Sequence, residues 1–218
     1  MNISLSDFLY FKIINLTHRE DRRNESITEL EKANFLTSTY SFHNAKYCEG
    51  IGMLGCSISH AMVLSDFLWN SDKPYALILE DDFSIQDHNN FTDQIIKILQ
   101  NANIWDVFLL GHNQALPIEN TVIPNTFRVV NSQTTSGYIV SRNYVHKLID
   151  SFNQSVIYIT YAKSINEPFR KKLIHLSASD ILWKRIQLDD RFLASFPALI
   201  KQRVSFSDIE NKIVDYGV

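Results

Sequence analysis

The stretch YALILEDDF, which covers Tyr75 to Phe83, decides the fold class. Tyr75 to Leu79 is a continuous apolar run, as expected of a central parallel strand that is covered on both faces. Pro74 precedes the run, and Glu80, Asp81 and Asp82 follow it directly. Because ligands bind beyond the carboxyl ends of the strands in open α/β sheets, the three carboxylates are predicted to lie at a binding site.

The acidic triplet has the composition of a metal site. Side chains alternate along a strand, so Glu80 and Asp82 are expected on one side and Asp81 on the other. Two converging carboxylates are hard oxygen ligands that suit Mn²⁺ or Mg²⁺, and without a cation they repel each other. The alternative interpretation is a solvated loop start or a helix N-cap.

Strands and helices alternate on both sides of this stretch. The predicted strands are Phe8–Leu16, Ser38–Ala45, Val107–Leu110, Gly137–Val140 and Phe192–Ile200. The predicted helices are Thr17–Phe35 (capped by Thr17), Met53–Asn70, Phe91–Ala102, Tyr144–Phe152 and Ile181–Gln187, the last opened by a capping box at Ser177–Asp180. Ser155 to His175 reads as a mobile surface loop. The alternation predicts an α/β domain with a mostly parallel sheet.

Composition narrows the class of protein. The chain has 218 residues, of which 45% are hydrophobic and 12% aromatic, enough for one domain with a real core. The net charge of −3 gives no reason to expect nucleic acid or an anionic membrane as partner. Cys48 and Cys56 form no zinc pattern and fit a reducing, cytoplasmic compartment. Asp7 and Lys12 interrupt any signal-peptide core, and no stretch approaches the roughly 18 apolar residues of a membrane span.

A basic cluster follows the first predicted strand. After Asn15 and Leu16 the chain carries His18, Arg19, Arg22 and Arg23. Arginines and helix N-terminal amides at a strand-to-helix turn suit a nucleotide diphosphate. The alternative is a charged helix face paired with Glu20, Asp21 and Glu25.

Three further polar residues have both a plain and a functional interpretation. Taken alone, His60 reads as a core histidine or one that supports a neighbouring group. Asp180 and Asp208 each read equally well as a helix cap.

Five blocks in order, from residue 13 to about 210, resemble glycosyltransferase family 25, the lipooligosaccharide galactosyltransferase family that also includes collagen galactosyltransferase domains. The blocks are IINLTHREDRR (13–23), GMLGCSISHAMVL (52–64), LILEDDF (77–83), SGYIVSR (136–142) and FPALIKQRVSFSDIE (196–210).

The resemblance implies a GT-A-like fold in a single domain, residues 1–218. A Rossmann-like nucleotide-sugar half would cover about residues 1–112, and a smaller acceptor half would cover about 113–218. It implies transfer of a hexose, usually galactose, from a UDP-sugar to a saccharide or glycolipid acceptor, as in lipopolysaccharide biosynthesis. Peripheral attachment to the inner face of a membrane and the oligomeric state stay open.

Carried over by position, the resemblance implies roles for particular residues. Glu80 and Asp82 would form a DxD-like Mn²⁺ or Mg²⁺ site. The donor pocket would be formed by Asn15, Leu16, Arg19, Arg22, Ser59, His60, Glu80, Asp81 and Gln202. Asp180 and Asp208 are the candidate catalytic carboxylates, and Asp180 is expected to deprotonate the acceptor hydroxyl. The metal and Arg22 would stabilise the departing UDP, and the displacement would invert the anomeric configuration.

Two other classes of protein compete with this interpretation. A non-catalytic sugar-nucleotide or glycan-binding relative in a polysaccharide assembly complex would be expected to lose the acidic triplet. A metal-dependent phosphoryl-transfer enzyme would be expected to carry a glycine-rich phosphate loop of the G-x-x-x-x-G-K type, which the sequence lacks.

Overall fold

The computed structural model describes residues 5–113, 121–208, 212–215 and 217. The strands are β1 Leu9–Asn15, β2 Ser41–Asn44, β3 Tyr75–Glu80, β4 Phe83–Ile85, β5 Val107–Leu109, β6 Thr126–Arg128, β7 Gly137–Ser141, β8 Phe192–Ser195, β9 Ile200–Gln202, β10 Ser205–Ser207 and β11 Lys212–Val214. The helices are α1 Leu5–Phe8, α2 Glu20–Lys32, α3 Gly52–Asn70, α4 Phe91–Gln100, α5 Val145–Ala162, α6 Phe169–Leu176, α7 Ser179–Leu182 and α8 Lys184–Asp189.

The central sheet has seven strands in the order β2-β1-β3-β7-β5-β8-β6. Strand β1 pairs in parallel with β2 and β3, and β5 pairs in parallel with β8. Strand β7 is antiparallel to both β3 and β5, and β6 is antiparallel to β8. Five of the seven strands therefore point the same way, which confirms the predicted α/β class with a mostly parallel sheet.

Strand β3 is covered on both faces, as its continuous apolar run predicts. Leu77 and Leu79 pack into a core cluster that contains Leu30 of α2 and Ile95 of α4. Ala76 and Ile78 pack into a second cluster, which contains residues of α3 and α5. Two helices thus cover each face of the sheet, and the carboxyl end of β3 is left at its edge.

Three predicted element boundaries are wrong. Helix α2 begins at Glu20 rather than at Thr17, because a backbone turn from Leu16 to Arg19 comes first and no side chain caps the helix. Ser177–Asp180 is not a capping box, since Ala178 is the N-cap residue of α7 and makes no side-chain cap bond. The predicted strand 192–200 is two strands, β8 and β9, which belong to different sheets.

The prediction of a mobile loop over Ser155 to His175 is also wrong. Helix α5 continues to Ala162, and α6 covers most of the remaining segment. The continuation of α5 is buried at Ser155, Ile159 and Ala162. The Ser155 hydroxyl lies 2.8 Å from that of Ser57 in α3 and donates to the Ser177 carbonyl at 2.5 Å. Packing on α3 therefore stabilises helix in a stretch whose polar residues suggested a loop.

Two small sheets lie beside the central one. Strand β9 pairs antiparallel with β4, which places Gln202 opposite Phe83, directly after the acidic triplet. Strands β10 and β11 form a hairpin. Ile209 and Glu210, the last residues of the late family-like block, lie outside the described residues.

Strands from both sides of residue 113 share the central sheet, and the division into a donor and an acceptor half stays a prediction. Among the described helices, none combines the length and the hydropathy that crossing a membrane requires.

Candidate active site

A cleft of about 510 Å³ opens where β1 and β3 end. Ten of the residues singled out in the sequence line it: Leu16, Arg22, Ser59, His60, Glu80, Asp81, Asp82, Asp180, Gln202 and Asp208. Asn15 and Arg19 are not among the lining residues and lie behind this wall. The fold therefore brings together, at one edge of the sheet, residues from five segments that are far apart in the sequence.

Glu80, the last residue of β3, is held by neighbours on two other elements. Its Oε1 atom lies 3.1 Å from Nε2 of His60 and accepts a bond of 2.5 Å from the Thr135 hydroxyl. Burial alone would raise the pKa of Glu80, but the hydrogen bonds from His60 and from Thr135 hold that pKa below its ordinary value. Glu80 is therefore an ionised, oriented carboxylate.

His60 is completely buried in α3, and its orientation is determined by the core. Its Nδ1 atom lies 3.0 Å from the Tyr138 hydroxyl, and its ring stacks on Phe152 at 5.0 Å between centroids. With Nε2 donating to the Glu80 carboxylate, Nδ1 accepts from Tyr138. His60 therefore positions Glu80 from beneath the cleft.

Asp81 also lines the cleft, although alternation along a strand predicted that it would face the other way, because β3 ends at Glu80 and Asp81 lies in the turn that follows. Its two oxygens accept bonds of 2.7 Å from the Asn15 amide and 2.9 Å from Arg22. Burial raises the pKa of Asp81, while Arg22 and Asn15 counteract this rise. Asn15, predicted in the donor pocket, instead ties the end of β1 to Asp81.

Asp82 shares the cleft with Glu80 and is poorly neutralised. Its carboxylate lies 3.3 Å from Arg22, and Gln202 donates to it across 3.4 Å. Burial, together with repulsion from Glu80, raises the pKa of Asp82 to about 7. A divalent cation would relieve that repulsion, so the residues present fit the predicted metal.

Two arginines hold the segment 205–208 against the strand-to-helix turn. Arg22 donates to the Ser205 hydroxyl at 2.7 Å and to the Phe206 carbonyl at 2.8 Å. Arg19 pairs with Asp208 at 2.5 Å and with Asp21 at 2.8 Å. Both guanidinium groups, predicted to meet a diphosphate, are largely engaged by carboxylates and carbonyls of the protein.

Asp180 lies in the first turn of α7 and faces the cleft. Its Oδ2 atom accepts a long bond of 3.4 Å from the backbone N–H of Thr134. Burial raises the pKa of Asp180, the Thr134 bond opposes the rise, and the charge of Glu80 adds to it. The predicted cap role is wrong, since Ala178 is the N-cap residue, whereas a raised pKa suits a proton acceptor.

Cys56, His60 and Glu80 form a second group with metal-ligand chemistry, since their ligand atoms all lie within 4.8 Å of one another. The sequence hides this cluster because Glu80 is on β3, whereas Cys56 and His60 are one turn apart on α3. Burial, reinforced by Glu80 and Asp180, raises the pKa of the Cys56 thiol well above its ordinary value. A thiol that retains its proton favours a hard cation at Glu80 and Asp82 over a thiolate site.

The two motif residues Gly55 and Ser59 shape the opposite wall. A Cβ atom on Gly55 would lie 2.3 Å from the carbonyl oxygen of Lys46, so only glycine allows this approach. The Ser59 hydroxyl accepts a bond of 2.8 Å from the Lys46 N–H. Together they hold Ala45, Lys46 and Tyr47 against α3 at the edge of the cleft.

Sequence reasoning missed Asn113, Gln133, Thr134 and Thr135, which also line the cleft. The two threonines precede β7, and the sequence predicted a mostly parallel sheet without giving the direction of this strand. Since β7 is antiparallel to β3, the residues before β7 meet the residues after β3. The only sequence signal for the two threonines is that they belong to a run of small hydroxyl residues directly before a buried strand.

Comparison with known proteins gives one sequence match. The sequence model described as "Glycosyltransferase family 25 (LPS biosynthesis protein)" matches residues 50–165, more than half of the chain. None of the curated proteins is a significant match.

Solved structures give similarities of fold. A197 from STIV is 10% identical, with 95% of this chain and 93% of that chain covered at a TM-score of 0.50. A glycosyltransferase involved in the glycosylation of the major capsid of PBCV-1 is 8% identical, with 87% and 93% covered at a TM-score of 0.45.

Proposed function

Because the chain belongs to glycosyltransferase family 25 and is thus a glycosyltransferase, we propose that it transfers a hexose, with galactose as first candidate, from a UDP-sugar to a saccharide acceptor. The α/β class with a mostly parallel sheet is consistent with the GT-A-like fold that the family resemblance implies. The observation that carries the proposal is the convergence of Glu80 and Asp82 in the cleft beyond the ends of β1 and β3.

The nucleotide is assigned to the end of the cleft nearest β1 and β2. Leu16, Ala45 and the half-exposed ring of Tyr47 offer an apolar surface for a base there. The exposed side chain of Lys46 lies at the same edge and suits a phosphate. This placement puts the diphosphate next to Glu80 and Asp82.

Mn²⁺ or Mg²⁺ would be held by Glu80 and Asp82, and the bound cation would supply positive charge that stabilises the departing diphosphate. His60 and Thr135 orient Glu80, while Arg22 and Gln202 orient Asp82. These four neighbours come from different elements of the fold and hold both carboxylates before any ligand arrives.

Asp180 is the proposed general base, with Asp208 as the second candidate. The acceptor hydroxyl oxygen bonds to the anomeric carbon, the bond from that carbon to the diphosphate breaks, and UDP leaves. Asp180 takes the hydroxyl proton, so that one direct displacement inverts the anomeric configuration. Asp208 is the weaker candidate because Arg19 and His18 already engage its carboxylate.

A glycolipid acceptor and peripheral membrane association are supported by the surface around α6, a helix without buried residues. Phe169 and Leu176 are 67% and 48% exposed. A groove between α6 and α5 is lined by Leu176, Tyr158 and Tyr161. Residues 163–176 contain four basic residues and one acidic residue, although the whole chain carries −3. Aromatic and basic side chains together suit the interface of an anionic membrane.

The proposed function is tested by incubating the protein with a panel of UDP-sugars, with and without Mn²⁺, and measuring UDP release and the mass of the acceptor product. We expect Mn²⁺-dependent transfer from one hexose donor, abolished by Asp82→Ala, and retained by Cys56→Ser. Full activity in EDTA would exclude the proposed metal dependence. Binding of UDP without turnover on any acceptor would favour a non-catalytic binding relative.

A further inference from the structure

The segment Ser132–Thr135 contains a β-branched residue in the left-handed region. Thr134 has φ = 72°, whereas such conformations are normally taken by Gly, Asn or Asp. Unfavourable backbone conformations of this kind persist only where the surrounding structure enforces them, and they concentrate at functional sites. Thr134 lines the cleft between Glu80 and Asp180, so the unusual backbone is located at the site itself.

The base of this segment is held tightly from the core. The fully buried Gln187 accepts from the Ser132 N–H at 2.8 Å and donates to the Ser132 carbonyl at 2.9 Å. The indole of the buried Trp183 donates to the same carbonyl at 2.9 Å. Three short bonds from α8 and the residue before it thus hold one backbone unit in place.

The Gln133 N–H donates to Asn113 at 2.8 Å, but the other polar groups that the segment turns toward the cleft are held by longer bonds. The Thr134 N–H donates to Asp180 at 3.4 Å, and its hydroxyl donates to Gln202 at 3.4 Å. The Gln133 side-chain oxygen accepts from Asn113 at 3.3 Å. These donor–acceptor distances exceed the range of about 2.7–3.2 Å that is usual in proteins. The groups can therefore still form hydrogen bonds to a ligand. A rigid base with weakly paired amide, hydroxyl and carboxyl groups at its tip has the chemistry that binds sugar hydroxyls.

We propose that Gln133 and Thr134, with Asn113, form the subsite that binds the hydroxyl groups of the donor's hexose ring and selects among hexoses; this rests on the proposed UDP-sugar donor. The position supports the donor ring because the adjacent Thr135 donates directly to Glu80, the proposed metal ligand. A hexose attached to a diphosphate at Glu80 and Asp82 would meet this segment first.

The test uses calorimetry with UDP, UDP-galactose, UDP-glucose and UDP-N-acetylglucosamine in the presence of Mn²⁺. In Gln133→Ala and Thr134→Gly, we expect UDP to bind as in the wild type, while the preferred UDP-hexose binds about 3- to 10-fold more weakly, the range for one neutral hydrogen bond. The preference among the three donors should narrow by the same factor. Asn34→Gly is the matched control, because Asn34 also has a positive φ of 60° but is exposed and does not line the cleft.

Equal affinity of the variants and the wild type for every compound, or equal weakening for UDP and UDP-hexoses, would overturn the subsite. A wild-type protein that binds no UDP compound would instead overturn the proposed donor, and the subsite with it. Melting curves of each variant distinguish loss of the fold from loss of a ligand contact. Thr134→Gly should melt close to the wild type, because the freedom of glycine at this φ offsets the larger entropy that it gives the unfolded chain.

Discussion

The guanidinium of Arg22 donates a hydrogen bond of 2.9 Å to the carboxylate of Asp81, and both side chains are almost completely buried. This contact joins helix α2 to the end of strand β3 beneath the cleft. The same guanidinium lies 3.3 Å from Asp82 and donates to Ser205 and to the Phe206 carbonyl. A residue predicted to bind a diphosphate is therefore also a structural centre of the site.

Arg22→Ala should destabilise the fold as well as the donor complex. Removing one partner of a buried ion pair costs about 3–5 kcal/mol, because the remaining charge is left uncompensated. Urea denaturation would measure the loss. Arg170→Ala removes a surface guanidinium whose Glu167 partner is also exposed, and it should cost clearly less. Equal unfolding midpoints for Arg22→Ala and the wild type would show that Arg22 is not structural.

Asp82→Asn should stabilise the metal-free protein near pH 8. The pKa of Asp82 is about 7 in the folded protein against an ordinary 3.8, so the folded state binds this proton more tightly than the unfolded state. The resulting stabilisation is complete below about pH 4 and is lost as the pH rises through about 7, with an upper limit of about 4 kcal/mol. A permanently neutral Asn avoids this loss.

Melting curves of both proteins at about pH 5 and about pH 8 would check the sign of this effect. The advantage of Asp82→Asn should be larger at the higher pH than at the lower pH. Mn²⁺ should raise the melting temperature of the wild type and leave the variant unchanged. A variant that is less stable than the wild type at both pH values would contradict the raised pKa.

Asp180→Asn should separate chemistry from folding. Asn can still accept the N–H of Thr134, and no helix cap is lost, so the melting temperature should hardly change. If Asp180 is the general base, kcat should fall by roughly 10²- to 10⁴-fold. Steady-state kinetics with Asp208→Asn in parallel would test the alternative. A fall of less than about tenfold would remove Asp180 from the base role and direct attention to Asp208.

Lys172→Glu should weaken binding to vesicles that contain phosphatidylglycerol. A basic residue near an anionic surface contributes about 1 kcal/mol, so the charge reversal should lower affinity about fivefold or more in vesicle sedimentation. Neutral phosphatidylcholine vesicles and added salt should weaken binding by the wild type. Lys97→Glu is the matched control, since Lys97 is exposed on α4, away from α6. If both variants bind equally well, α6 is not the membrane surface.

The sequence by itself determined the α/β class and the place of the acidic triplet. The run Tyr75 to Leu79 is apolar at every position and only five residues long, as expected of a strand covered on both faces. Alternation along the strand did not separate Asp81 from Glu80 and Asp82, because β3 ends at Glu80 and all three residues line the cleft. Helix α3 was also predicted from the sequence, because apolar residues that recur with a period near 3.6 over many positions indicate a helix and not a strand.

Only the tertiary structure decided which residues surround that triplet. The direction of β7 brings Thr134 and Thr135 to Glu80, and α7 brings Asp180 to Thr134. The roles of Arg19 and Arg22 also depended on it, since a basic cluster in sequence does not reveal which carboxylates lie opposite. Local propensity acts over a few residues, whereas strand direction and ion-pair partners depend on contacts between segments that are far apart in the chain.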